Sequence, residues 1–139
     1  MASNAALDIR IPSDVSRIEG YVAQVVHRCR EHRFAGRQLT LNVPVALTGA
    51  LSNAILRGNG EDPSRQVRVR ADVSELRLVL EVEDEGDGFD LDACTKDPSD
   101  PGNLEREDGR GLYLMRSLMD RVERYRGDGN VVRLVLHRR

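Results

Sequence analysis

Apolar residues recur along the chain with two different periods. In ALDIRIP every second residue is apolar (Leu7, Ile9, Ile11), which predicts a short strand with one buried face. Ser13 or Asp14 is placed to cap the helix that follows, where Ile18, Val22, Val25, Val26 and Cys29 fall at helical spacing. A second helix is predicted after Asn42, read as its cap, with Pro44 in the first turn. Its apolar side carries Leu47, Ala50, Leu51, Ala54 and Ile55, and Gly58-Asn59-Gly60 stops it. QVRVRADV and ELRLVLEVED alternate again and read as two strands joined by a turn near 72–74, the second presenting Leu76, Leu78, Leu80 and Val82 on one face. Residues 86–110 are poor in apolar side chains and read as a long loop, a length that usually signals function. GLYLMRSLMDRV returns to helical spacing through Leu112, Met115, Met119 and Val122; VERYR, a GDG turn and NVVRLVL close the chain as two strands. This order predicts a single α+β domain over residues 1–139, one mixed but mostly antiparallel sheet with helices on one face.

Composition narrows the partners more than the fold. Lys and Arg number 21 against 23 Asp and Glu, a formal charge of −2, so no dedicated basic surface for nucleic acid is expected. With no Trp, three Tyr and two Phe, the chain has little material for stacking on bases. No apolar run is read as approaching the ~20 residues of a membrane span, and MASNAALDIR lacks the layout of a signal peptide. Cys29 and Cys94 stand far apart in no metal-type spacing. A reduced, cytoplasmic protein without direct nucleic-acid or membrane contact is the expectation.

Three short stretches carry candidate chemistry. In GALSNAILRGN (residues 49–59) the apolar helix face holds an amide, Asn53, and one turn earlier a glycine, Gly49, which costs a helix interior about 1 kcal/mol relative to Ala. A buried amide needs partners; it can be a satisfied core residue, or its oxygen can serve as a hard ligand for Mg²⁺. DEGDG (84–88) ends a predicted strand. It reads as a tight turn, or as a carboxylate, Asp84, fixed at a strand end with Gly86 and Gly88 allowing close approach. DGRGL (108–112) enters a helix, where Gly109 and Gly111 would let backbone N–H groups wrap a phosphate, with Arg106 and Arg110 adding charge.

Taken in order, LSNAILRGN, DEGDG and GRGLYLMRSLMD resemble the N, G1 and G2 boxes of the GHKL ATPase superfamily, and within it most resemble the bacterial anti-sigma-factor serine/threonine kinases. The resemblance covers about residues 7 to 137. It implies a two-layer Bergerat α/β sandwich with a mobile ATP lid near 90–110, ATP or ADP with Mg²⁺ as cofactors, and a sigma factor or a STAS-type anti-sigma antagonist as partner, with a homodimer among the expected assemblies. Residue by residue, it implies that Asn53 ligates the Mg²⁺ and Asp84 receives the adenine amine. Gly86 and Gly88 shape the base pocket, and Gly109, Gly111 and Leu112 present backbone to the phosphates beside Arg106 and Arg110. Arg57 occupies a position where the kinases usually have His.

One departure bears on activity. Four residues before Asn53 the kinases carry a Glu taken as general base; this chain has Gly49, which has no proton acceptor. Such a base typically contributes ~10²–10⁴-fold, while nucleotide binding does not depend on it. Three accounts stand open: an ATP-binding regulator without effective kinase activity, substitution by another acid (Glu61, Asp62, Glu105 or Glu107), or a space filled by a partner side chain. Two competing functions are a binding module whose nucleotide site is structural or vestigial, and the detached ATP-binding half of a histidine kinase. The last is disfavoured because His27, His32 and His137 lie in no phosphoacceptor-like context.

Overall fold

The structure is a computed structural model and describes residues 5–86 and 107–139. Five strands form one sheet: β1 (Ala5–Pro12), β2 (Gln66–Val73), β3 (Arg77–Asp84), β4 (Arg121–Arg126) and β5 (Asn130–His137). Their spatial order is β1-β2-β3-β5-β4, and all four pairings are antiparallel. Two of them, β2–β3 and β4–β5, are local hairpins. The β3–β5 pairing joins distant parts of the chain and sets Asp84 directly opposite Asn130.

Three helices cover one face: α1 (Ile18–Glu31), α2 (Val43–Asn53) and α3 (Glu107–Leu118). Period-two alternation turns Val67, Val69, Ala71, Val73, Leu78, Leu80, Val82, Leu134 and Leu136 inward against Val25 and Cys29 of α1, Leu47 and Leu51 of α2 and Met115 of α3. Each fully buried Leu or Val stabilises by about 1.5–3 kcal/mol relative to exposure, so this layer is the main source of stability. The uncovered face carries charge. One row across all five strands reads Asp8, Arg70, Glu81, Arg133, Glu123, with alternating sign.

Several boundaries differ from the sequence expectation. The second helix begins one turn before Asn42: wide, π-helical turns at Gln38–Asn42 and Ala54–Gly58 extend α2 at both ends. Asn42 therefore caps nothing, and its amide instead donates to the carbonyl of Leu118 at 2.7 Å. Pro44 explains the change of winding, because it has no N–H to give the preceding turn. The combined helix, Gln38–Gly58, has a mean hydropathy of 1.4 over its most apolar window and is long and apolar enough to cross a membrane. That corrects the reading that no run approaches such a length; here its apolar side is core. Leu76 lies in the β2–β3 turn and is 78% exposed rather than on a strand face. Val122 belongs to β4 and still packs on the core. The last helix starts at Glu107, so the loop ends before the predicted 110. Asp14 caps a 3₁₀ turn ahead of α1 by accepting from the Ser16 N–H at 3.0 Å.

Candidate functional site

The end of β3, the last turn of α2 and the start of β5 converge on one carboxylate. Asp84 is 3% exposed. Its Oδ1 accepts from the N–H of Gly86 at 2.8 Å and from Nδ2 of Asn130 at 3.1 Å. Asn130 Nδ2 also donates to the carbonyl of Gly86 at 2.6 Å, and its Oδ1 accepts from Nη1 of Arg126 at 3.0 Å. Among the described residues no hydrogen bond reaches Oδ2 of Asp84.

Three glycines make this convergence sterically possible. A Cβ on Gly58 would lie 2.3 Å from both Cγ and Oδ2 of Asp84, and one on Gly86 would lie 1.8 Å from the carbonyl oxygen of Gly58. On Gly129 it would lie 1.9 Å from the carbonyl oxygen of Asp84. Gly86 was expected to admit a ligand; what it first admits is the backbone at the end of the helix.

Asn59 ties the same elements together from behind. It is 3% exposed, donates through Nδ2 to Ser13 Oγ at 3.0 Å and to the Gln66 carbonyl at 3.1 Å, and accepts at Oδ1 from the Glu85 N–H at 2.8 Å. Its own N–H closes the π turn on Ala54 at 2.9 Å. One buried amide thus fixes the helix end, the residue after β1, the start of β2 and the loop after β3.

In front of Asp84 lies a small cleft lined by Ala50, Asn53, Ala54, Val82, Asp84, Met115 and Val132. The structure therefore brings Asn53 and Asp84, separated by two strands in the chain, into one small pocket whose other lining residues are apolar. Nδ2 of Asn53 is buried and has no hydrogen-bond partner among the described residues. An unpaired buried donor costs about 1–3 kcal/mol, which is why a polar group expected at this place fits a ligand site better than a core. Arg57, exposed on the last helical turn one turn beyond Asn53, makes no ion pair among the described residues.

The remaining expected residues are not gathered in this way. Gly109, Arg110, Gly111 and Leu112 lie in the first two turns of α3, where the leading N–H groups have no intrahelical acceptor. Gly88 and Arg106 lie outside the described residues. Gly49 faces α3: a Cβ there would lie 3.8 Å from Cγ and 3.9 Å from Cε of Met115, ordinary contact distances. Of the acids offered as substitutes for the missing base, Asp62 is engaged elsewhere. It accepts from the Ser64 hydroxyl at 2.7 Å and the Ser64 N–H at 2.9 Å, and these bonds hold its carboxyl below the usual range. Glu61 is exposed with a left-handed φ of 55°, Glu107 heads α3, and Glu105 lies outside the described residues.

Sequence reasoning passed over Asn130, which it read as the first residue of a strand, and Gly129, Gly58 and Asn59, which it read only as turn or stop residues. One signal was available. Alternation along β5 puts Asn130 in the inward series with Val132, Leu134 and Leu136, so a polar residue stands at an apolar position.

The profile of the histidine kinase-like ATPase domain matches residues 11–136, nearly the whole chain. The chain belongs to the histidine kinase-like ATPase family. Over 86 residues, 58% of this chain and 54% of the relative, it is 40% identical to the serine-protein kinase RsbW of Bacillus subtilis (strain 168). It is 37% identical over 87 residues to the protein of the same name in Bacillus velezensis, covering 59% of this chain and 54% of that one. It is 27% identical over 100 residues to an anti-sigma F factor of Clostridium perfringens (strain SM101), covering 70% and 71%. The chain thus spans about half the length of the RsbW relatives it matches. The family accounts for the antiparallel sheet with helices on one face, and its nucleotide chemistry suits a cleft holding a carboxylate and an unpaired amide.

Proposed function

We propose that this chain is an ATP-binding regulator of the anti-sigma-factor serine/threonine kinase type. It binds Mg·ATP between α2, β3 and α3 and docks a sigma factor or a STAS-type antagonist, as a homodimer or as a one-to-one complex. The observation that carries the reading is the shared cleft of Asn53 and Asp84, each with a polar atom left without a protein partner. In this reading Asp84 would accept from the base and the Asn53 amide oxygen would hold the Mg²⁺, since Nδ2 has no hydrogen bond among the described residues to fix which end of the amide leads. Gly86 and Gly88 border the base, while Arg57, Arg106, Arg110 and the backbone of Gly109, Gly111 and Leu112 serve the phosphates. ATP and Mg²⁺ would supply the transferable phosphoryl group. The protein's part is positioning and charge stabilisation, which dominate such transfers.

Gly49 separates binding from catalysis. With no carboxylate at that position, nucleotide-dependent partner binding is the primary activity and phosphorylation of a partner serine is slow or absent. Calorimetric titration with ATP and ADP, with and without Mg²⁺, tests the reading. Mg²⁺-assisted binding that Asp84→Asn weakens at least tenfold is expected. No heat at millimolar ATP would leave only a partner-binding module with a vestigial site.

A further inference from the structure

We propose that Asn130, oriented by Arg126, is the positioning residue that makes this cleft distinguish a 6-amino purine from a 6-oxo purine; this rests on the nucleotide reading above. A side-chain amide donates at one end and accepts at the other, and its shape does not decide which way it points. Here its neighbours decide. Nη1 of Arg126 stands 3.0 Å from one end of the Asn130 amide, and a guanidinium carries donors only. The amide oxygen therefore faces Arg126 and the NH₂ faces inward. Inward it meets two acceptors, Asp84 Oδ1 at 3.1 Å and the Gly86 carbonyl at 2.6 Å. The reverse orientation would set oxygen against two oxygens, where Asn130 is 2% and Asp84 3% exposed and solvent gives little relief.

The effect falls on the carboxylate. Oδ1 of Asp84 also accepts from the Gly86 N–H at 2.8 Å, so two donors hold it and the group cannot turn. Oδ2, for which no hydrogen bond is found among the described residues, is left as the one open acceptor of the carboxylate, held against Gly58 at the edge of the cleft that Val82 and Val132 also line. An exocyclic amine donates to that oxygen. A 6-oxo group in the same place meets it lone pair to lone pair. Mismatches of this kind, with buried polar groups left without partners, are the ones protein sites reject most strongly. Neither Asn130 nor Arg126 need touch the base; both act through Asp84.

The test is titration calorimetry of the full chain with Mg·ATP and with Mg·ITP, which share the triphosphate and differ in the 6-amino or 6-oxo group. The wild type is expected to prefer ATP at least tenfold. Asn130→Ala is expected to weaken ATP about tenfold, the scale of one hydrogen bond to a charged group, with little change for ITP, so the preference collapses. Asn130→Ser keeps one donor and is expected to keep an intermediate preference. Arg126→Met removes the outer donor but leaves the two inward acceptors that hold the amide, and is expected to lower the preference by less than Asn130→Ala does. A merely structural residue would weaken both nucleotides in parallel with the melting temperature, and an unchanged ATP-to-ITP ratio across the folded variants overturns the proposal. If the wild type binds neither nucleotide, the nucleotide reading fails and takes this inference with it. If it binds ATP preferentially and the variants keep that preference, only this inference fails. Thermal unfolding identifies any variant that does not fold, and Arg126→Met and Asn130→Ser decide should Asn130→Ala be one.

Discussion

At position 49 a methyl group would rest against Met115 without compression, so nothing in the packing demands a glycine there. The backbone is ordinary α-helix, in which Gly is worse than Ala by about 1 kcal/mol. The residue thus reads as the loss of a side chain, which predicts what its return would do. Gly49→Glu is expected to raise incorporation of labelled phosphate into an anti-sigma antagonist by about 10²–10⁴-fold, with ATP affinity nearly unchanged. An unaltered rate would mean that the base comes from elsewhere. Tyr21 poses the opposite case. It is 2% exposed, its hydroxyl has no partner among the described residues, and burial pushes that hydroxyl's pKa upward. Tyr21→Phe keeps the ring and removes the unpaired group, and is expected to stabilise the protein by about 1 kcal/mol in urea unfolding. A loss of stability would reveal a bond that the structure does not contain.

At the scale of elements, α2 with its two wide turns is the scaffold on which the site depends. Its far turn presents Gly58 to Asp84 and hands the chain to Asn59, whose side-chain bonds reach Ser13, Gln66 and Glu85. Asn59→Ala strands several buried partners at once and is expected to cost about 2–4 kcal/mol, read from the urea midpoint, and to weaken nucleotide binding as the loop after β3 loosens. Much of this architecture was legible. Alternation marked β1, β2 and β3 and helical spacing the three helices, because a one-sided sheet and its helices must sort apolar from polar residues. What escaped has physical causes. The first turn, QLTLN, carries no cap and no acidic start, so its helical state depends on packing and on Gln38, whose Nε2 donates to the carbonyl of His137 at 2.8 Å. Val122 continued a helical spacing by coincidence, since a core-facing residue of an adjoining strand satisfies the same interval. The site was half legible: Asn53 stood out as an amide on an apolar helix face and Asp84 as a carboxylate at a strand end beside glycines, whereas Gly58, Gly129 and Asn130 matter through contacts made across β3 and β5, which no local window contains.

At the scale of the whole molecule the two sheet faces do different work. The inner face supplies cohesion and the cleft shared by Asn53 and Asp84. The outer face, with its alternating charges, is covered mainly by its own ion pairs, such as Arg68 with Asp8 at 2.7 Å and Arg70 with Glu81 at 3.4 Å. The Arg68 guanidinium holds the Asp8 carboxyl below its usual range; as the pair is exposed, salt screens it and it adds little to stability. Charges lined up with this regularity also resist stacking of one sheet on another.

The pairing of Asp84 with Asn130 has a kinetic consequence. The hairpins β2–β3 and β4–β5 close over short loops, whereas the seam between β3 and β5 joins residues 46 apart and waits for a longer closure. The cleft exists only once that seam has formed, which places it late on the folding route. A ligand held there would stabilise contacts absent from the transition state. Saturating Mg·ATP is therefore expected to slow unfolding by close to its full equilibrium effect while leaving the refolding rate nearly constant, as a stopped-flow chevron would record. Faster refolding with nucleotide would instead put the seam in the folding nucleus.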